Sequence, residues 1–265
     1  MLRYTRAFIG IMRREGLRVI RQRGRLAAAI VRPLIWLAVF AAGFRNALGL
    51  SIAPPYQTYI LYEVYIVPGL AAMMLLFHAM QTSLSMVYDR EMGSMRVLLV
   101  APLPRWYLLA ARLTASTLVV LPLVVGFLLV SRLWGVRPPG WGYVAALPAL
   151  LLSGLMLGAF GLLVSSAIRQ LENFAGVMNF VIFPMFFAST ALYPLWRIED
   201  ASMWVATAAR LNPFTYAVEL IRFALYLRMD WLSVAVVTGA AVVFFGLAVL
   251  GYEPARGWAL ARNDS

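Results

Sequence analysis

Side chains able to do chemistry are few in this sequence, and most of them are arginines. The chain has one histidine, His78, and no cysteine. All 23 of its basic residues are arginine. Without Cys there can be no disulfide, thiolate metal site or cysteine nucleophile. Without Lys the phosphate-cradling G-x-x-x-x-G-K-[ST] loop cannot be formed, so ATP-driven work requires a separate subunit. A single His excludes a bis-histidine haem and an H-E-x-x-H zinc site. His78 precedes Ser83 and Ser85, but no G-x-S-x-G occurs and the spacing sets Ser83 poorly on its helix face. A packed or hydrogen-bonded histidine is expected there, not a Ser-His pair. Glu63, Glu172 and Glu219 fall at span edges or in loops, whereas ion-coupled carriers keep acids inside their spans. The chain is therefore expected to have no catalytic residue, metal site or cofactor of its own.

The most informative charges are consecutive. Asp89-Arg90-Glu91 leaves an apolar run, Met92, Met95 and Leu98 or Leu99 follow at helical spacing, and Pro102 and Pro104 end the segment. This pattern predicts a short amphipathic helix over 89–101, stopped by proline and redirected into the next apolar run. Attached at both ends, such a helix could pass a push from a partner to two neighbours.

The elements around it are set by hydropathy. Hydrophobic residues make up 63% of the chain and charged residues 13%, against about 45–50% and about 25% in soluble domains. Apolar runs at about 26–44, 64–87, 106–131, 143–168, 173–195 and 232–251 approach the roughly 20 residues that cross a bilayer. In hydrocarbon the backbone must satisfy its own hydrogen bonds, which predicts an all-α, polytopic membrane protein with six transmembrane helices. The basic run Arg3–Arg25 is too long for a signal n-region and the following run too long for its apolar core, so the segment is expected to be retained. Residues 1–25 hold eight arginines against Glu15, which places the N-terminus in the cytoplasm and, after six spans, the C-terminus too. Arg3, Arg6, Arg13, Arg14, Arg18 and Arg21 share one arc of a helical wheel and Tyr4, Phe8, Met12 and Val19 the other. An interfacial amphipathic helix is expected there, lying against membrane lipids. The net charge of +12 then reflects topology and anionic headgroups, with no nucleic-acid partner. The outer loop at 197–231 contains apolar stretches too short to span, and Asn212-Pro213 reads as a helix start, so re-entrant half-helices are expected before the last span. No repeat or linker divides 1–265, which reads as one domain.

Three pieces then line up in order. They are Asp89-Arg90-Glu91-x-Gly93-Ser94-x-Arg96 with Pro102-Leu-Pro104-Arg105; Ser165-Ser166 through Gln170 into Asn173–Pro194; and Leu211-Asn-Pro-Phe-Thr-Tyr-Ala-Val-Glu-Leu-Ile-Arg222. Together they resemble the permease subunit of type-2 ABC exporters (ABC-2 type), a group that includes lipo-oligosaccharide, polysaccharide and drug exporters. The resemblance covers nearly the whole chain. It implies a homodimer, or a closely related pair, docked on two ABC ATPase subunits that bind ATP and Mg. It makes 89–104 a cytoplasmic coupling helix, with Asp89, Arg90, Glu91, Gly93, Ser94 and Arg96 in the ATPase contact and Gly93 allowing close approach. It suggests that Phe183, Phe186 and Phe187 line a substrate path. The location implied is the bacterial inner membrane, in keeping with the all-arginine composition of a GC-rich genome. An amphiphilic, lipid-linked or glycan substrate fits the aromatic content. A non-transporting assembly subunit shares the hydropathy but leaves the proline-ended charged helix unexplained.

Overall fold

The computed structural model describes residues 2–21, 23–44, 54–56, 60–92, 103–168 and 170–252. Its regular elements are helices: α1 (Leu2–Arg21), α2 (Arg23–Phe44), α3 (Tyr62–Glu91), α4 (Arg105–Val130), α5 (Gly142–Ala167), α6 (Leu171–Phe187), α7 (Leu195–Ala201), α8 (Met203–Leu211), α9 (Pro213–Leu225) and α10 (Trp231–Gly251). A single 3-10 turn, Ser131–Trp134, extends α4.

Among the described residues four helices are long and apolar enough to cross a membrane: α3, α4 with its following turn, α5 and α10. The expectation of six is met by length in these four only. The apolar parts of α2 and α6 are Ala27–Gly43 and Leu171–Phe187, which rise about 25 Å at 1.5 Å per residue, short of the roughly 30 Å of hydrocarbon. The fifth apolar run was expected to reach residue 195, yet its helix stops at Phe187. Pro184 is in its last turn, Ala188 N donates to the Pro184 carbonyl, and Ser189 Oγ accepts from Ala191 N to turn the chain.

The centre of the bundle is α3, buried along most of its length. It meets α2, α4, α5, α6 and α9, while α10 packs mainly on α5 and α1 mainly on α4. Close approach between α3, α4 and α5 depends on small residues. A Cβ placed on Gly161 of α5 would sit 2.5 Å from Ser83 Oγ and 3.1 Å from the Ala79 carbonyl oxygen of α3. One on Gly158 would sit 2.3 Å from Leu113 Cδ1, and one on Gly154 would sit 2.5 Å from Thr117 Cγ2, both on α4. Lipid tails are as apolar as leucine, so packing of this kind, more than hydrophobicity, holds such helices together.

The segment between α6 and α10 is helical, as anticipated from Asn212-Pro213. Asn212 caps α9 by accepting from Phe214 N, with Pro213 at its first position. The same side chain donates from Nδ2 to the Met185 and Ala188 carbonyls at 2.7 Å each, fastening α9 to the end of α6. Overpacking a tight seam costs about 1–3 kcal/mol. Gly161→Leu should therefore lower the thermal unfolding temperature of the purified protein in detergent. Gly126→Leu, at a position with open space around it, should leave that temperature unchanged.

Candidate functional site

The triplet Asp89-Arg90-Glu91 forms the last turn of α3 itself. Of the helix expected over 89–101, the residues from Gly93 on, including Ser94 and Arg96, lie outside the described residues. The three consecutive charges diverge by about 100° per residue, so each reaches a different neighbour. Asp89 is buried and faces α4 and α1: its Oδ2 lies 3.1 Å from Arg112 Nη2 and 3.6 Å from Arg14 Nη2. Arg90 donates to the Ser165 and Ile168 carbonyls at 2.8 and 3.4 Å, at the end of α5. Its guanidinium also lies 4.9 Å from the ring centroid of Tyr252, whose hydroxyl meets Ser165 Oγ at 2.8 Å. Orphan carbonyls at a helix C-terminus take a cation well, because they carry the negative end of the helix dipole. Glu91 is exposed, and its carboxylate accepts from Leu171 N at 2.8 Å, at the start of α6. That end of a helix favours an anion for the mirror-image reason. One helix turn thus ties together both ends of the α5–α6 connection, as well as α1, α4 and the end of α10.

Beneath this turn lies a buried ion cluster. Arg112 of α4 has Nε 3.6 Å from Glu15 Oε1 and Nη2 3.1 Å from Asp89 Oδ2. Ser85 Oγ accepts from Arg112 Nη2 at 3.0 Å and from Arg18 Nη1 at 3.2 Å, and donates to the Thr82 carbonyl at 2.7 Å. Arg18 Nη1 also stands 3.6 Å from Glu15 Oε1. Arg112, Glu15 and Asp89 are all among the buried residues. Charges withdrawn from water cost several kcal/mol each unless paired, so this cluster fixes where α1 can dock. Tyr4 adds an edge-to-face contact with Tyr107, whose hydroxyl donates to the Tyr4 carbonyl.

The opposite end of α3 is held by a second buried cation. Arg222 of α9 is 1% exposed. It pairs with Glu219, donates to the Thr190 carbonyl at 2.8 Å and the Tyr65 carbonyl at 3.4 Å, and sits 3.9 Å from the Tyr65 ring centroid. The Tyr65 hydroxyl donates to the same Thr190 carbonyl at 3.0 Å. Arg222 closes the third sequence piece, and it locks α9 and the turn after α6 onto α3.

The aromatic residues of α6 separate into two kinds. Phe186 is fully buried and packs edge-on against Trp36 and Phe214. Phe183 and Phe187 stack with centroids 6.2 Å apart and are each more than 40% exposed. Only the latter two have surface to offer a passing molecule in this conformation. His78 is hydrogen-bonded to α4: its Nε2 lies 3.0 Å from Ser116 Oγ and 3.1 Å from the Ser116 carbonyl oxygen.

Sequence reasoning passed over Arg112 and treated Glu15 only as a minority charge. The signal was present, since a lone arginine inside an apolar run is costly and must find an acid. Glu15 is likewise the one acid in an arginine-rich helix, placed on its inward face. Arg112→Leu takes the shared cation from two buried carboxylates, leaving Asp89 to Arg14 and Glu15 to Arg18 at 3.6 Å, and should cost up to about 3 kcal/mol, read as a drop in the detergent unfolding temperature. Combining it with Glu15→Gln and Asp89→Asn removes both negative charges and should recover part of that loss.

The chain matches the ABC-2 type transporter family over residues 6–226. It is 29% identical over 212 residues to a protein of Cyanophora paradoxa named as the transport permease ycf38, covering 78% of this chain and 69% of that one. The corresponding protein of Porphyra purpurea is 28% identical over 227 residues, 83% of this chain and 74% of the other. A protein of Escherichia coli K12 named as the multidrug ABC transporter permease YbhR is 29% identical over 170 residues, 63% of this chain and 45% of its own length. A match that begins in α1 and runs to the end of α9 takes in both buried cations and the triplet between them, and the chain belongs to the ABC-2 type transporter family as a multi-pass membrane transport permease.

Proposed function

We propose that this permease is the membrane half of an ATP-driven exporter, working as a homodimer or paired permease on two ATPase subunits, in a bacterial inner membrane. The observation that carries this reading is the end of α3, where three consecutive charges each hold a different neighbouring helix. The positive-inside rule favours a cytoplasmic position for it, beside the arginine-rich α1. Glu91 is the exposed member. With Gly93, Ser94 and Arg96 beyond it, Glu91 supplies the ATPase contact, while Asp89 and Arg90 pass displacement to α4, α1 and α5. Sequence order supports this division, since the segment 93–102 leaves α3 at the triplet and re-enters the bundle at Arg105, the first residue of α4.

The cycle is a population shift. ATP binding closes the ATPase pair and biases the permeases between inward-open and outward-open states, by as much as the contact differs in energy between them. The outer helices α7–α9 act as re-entrant half-helices at the exit, and Phe183 and Phe187 border the path. The substrate class is an amphiphilic, lipid-linked or glycan molecule leaving the cytoplasm. This chain binds no nucleotide; ATP and Mg belong to the partner.

Glu91→Arg should cut transport and transport-coupled ATP turnover at least tenfold while membrane insertion is unchanged. Full transport in that variant would remove the coupling assignment. Affinity purification of the tagged chain from its native membrane should also bring down an ATPase subunit with Walker motifs. Full-rate transport by the chain alone would overturn the proposal.

A further inference from the structure

Between α1, α2, α3 and α4 lies a cleft with about 900 Å³ of empty space, its open mouth included. Its lining changes character along α3. Met73, Met74 and Phe77 line one end, and Gln81, Thr82 and Ser85 the other. From residue 73 to residue 85 the helix rises roughly 18 Å, close to half the thickness of a bilayer with its headgroups. Ala28 and Ala29 of α2 leave one wall low. Arg18 stands at the polar end beside Ser85, and Arg32 stands where the two ends meet, over Phe77. Arg18 shares Glu15 with Arg112 and donates to Ser85. Arg32 is exposed, has its guanidinium 4.6 Å from the Phe77 ring centroid, and pairs with no carboxylate among the described residues. Two guanidinium groups against one shared carboxylate leave the mouth of the cleft positive. A cation at membrane depth without a counter-ion is expensive, and an acidic group placed beside it removes that cost.

We propose that this cleft is a binding site for an acidic amphiphile drawn from the surrounding leaflet. Its anionic headgroup sits between Arg18 and Arg32 and its apolar tail lies along Met73, Met74 and Phe77. A phosphate-bearing headgroup suits the pair, since guanidinium forks bind phosphate oxygens two at a time. The apolar floor selects against a free inorganic anion. The site does not depend on the transport cycle, and its test needs no ATPase.

Native mass spectrometry of the full chain, purified in a mild detergent and titrated with phosphatidylglycerol or phosphatidylcholine of identical acyl chains, reads the site directly. Wild type should retain the acidic lipid at least tenfold more tightly than the zwitterionic one. Arg32→Gln should abolish most of that preference, and Val120→Trp, which fills the floor of the cleft, should weaken both lipids. Arg137→Gln, at an exposed position away from the cleft, should change nothing. Size-exclusion profiles matching wild type show that each variant is folded. Equal retention of the two lipids by wild type, or an unaltered preference in Arg32→Gln, overturns the proposal and leaves the permease reading intact. Release of a dimer into monomers by Ala29→Trp, with lipid retention unaltered, seats a second copy in the cleft and overturns it as well. Inorganic phosphate displacing phosphatidylglycerol at millimolar concentration would refute the role given to the apolar floor.

Discussion

A guanidinium group withdrawn from water must be matched by carboxylates, and Arg112 finds two of them on different helices. Glu15 comes from α1 and Asp89 from the last turn of α3. Because Arg112 cannot shed its proton, the only low-energy arrangement brings all three helices to one point. The amphipathic α1 is therefore docked on the bundle at a fixed place. Its apolar face would bind any interface, but its single acid selects one position against α4. The rest of this end of the molecule depends on that docking, including the cleft that α1 helps to wall and the turn from which the next segment departs.

The α3 helix works as a spine because its two ends use different chemistry. At the arginine-rich end, side chains of α3 reach out to carbonyls and an amide at the ends of other helices. At the far end the direction is reversed, and Arg222 reaches inward to the Tyr65 carbonyl of α3 and the Thr190 carbonyl of the turn after α6. Between them α5 packs on α3 and α4 through glycines whose contacts leave no room for another methyl group. Such a core has discrete arrangements and does not deform continuously.

Much of this was legible in the residues. Hydropathy located α3, α4, α5 and α10 to within a few positions, because a chain in hydrocarbon has little choice but helix. Asn212-Pro213 announced α9 through capping chemistry that is local to the sequence. The early stop of α6 was missed, since apolar composition continues past Phe187 while the backbone turns at Ser189. Asp89 and Arg90 were expected on an exposed helix, yet they face inward. Periodicity describes one helix at a time, whereas the partners Arg112, Ser165 and Tyr252 lie far along the chain. Pairing across such distances cannot be read from spacing.

The grip of Arg222 is of a kind that acidity does not loosen. Its donors are permanently charged, and two of its acceptors are backbone carbonyls, which do not titrate. A change of acidity therefore leaves those carbonyl contacts and the Tyr65 ring in place. The α9 helix should therefore stay fastened to α3 across a wide range of acidity.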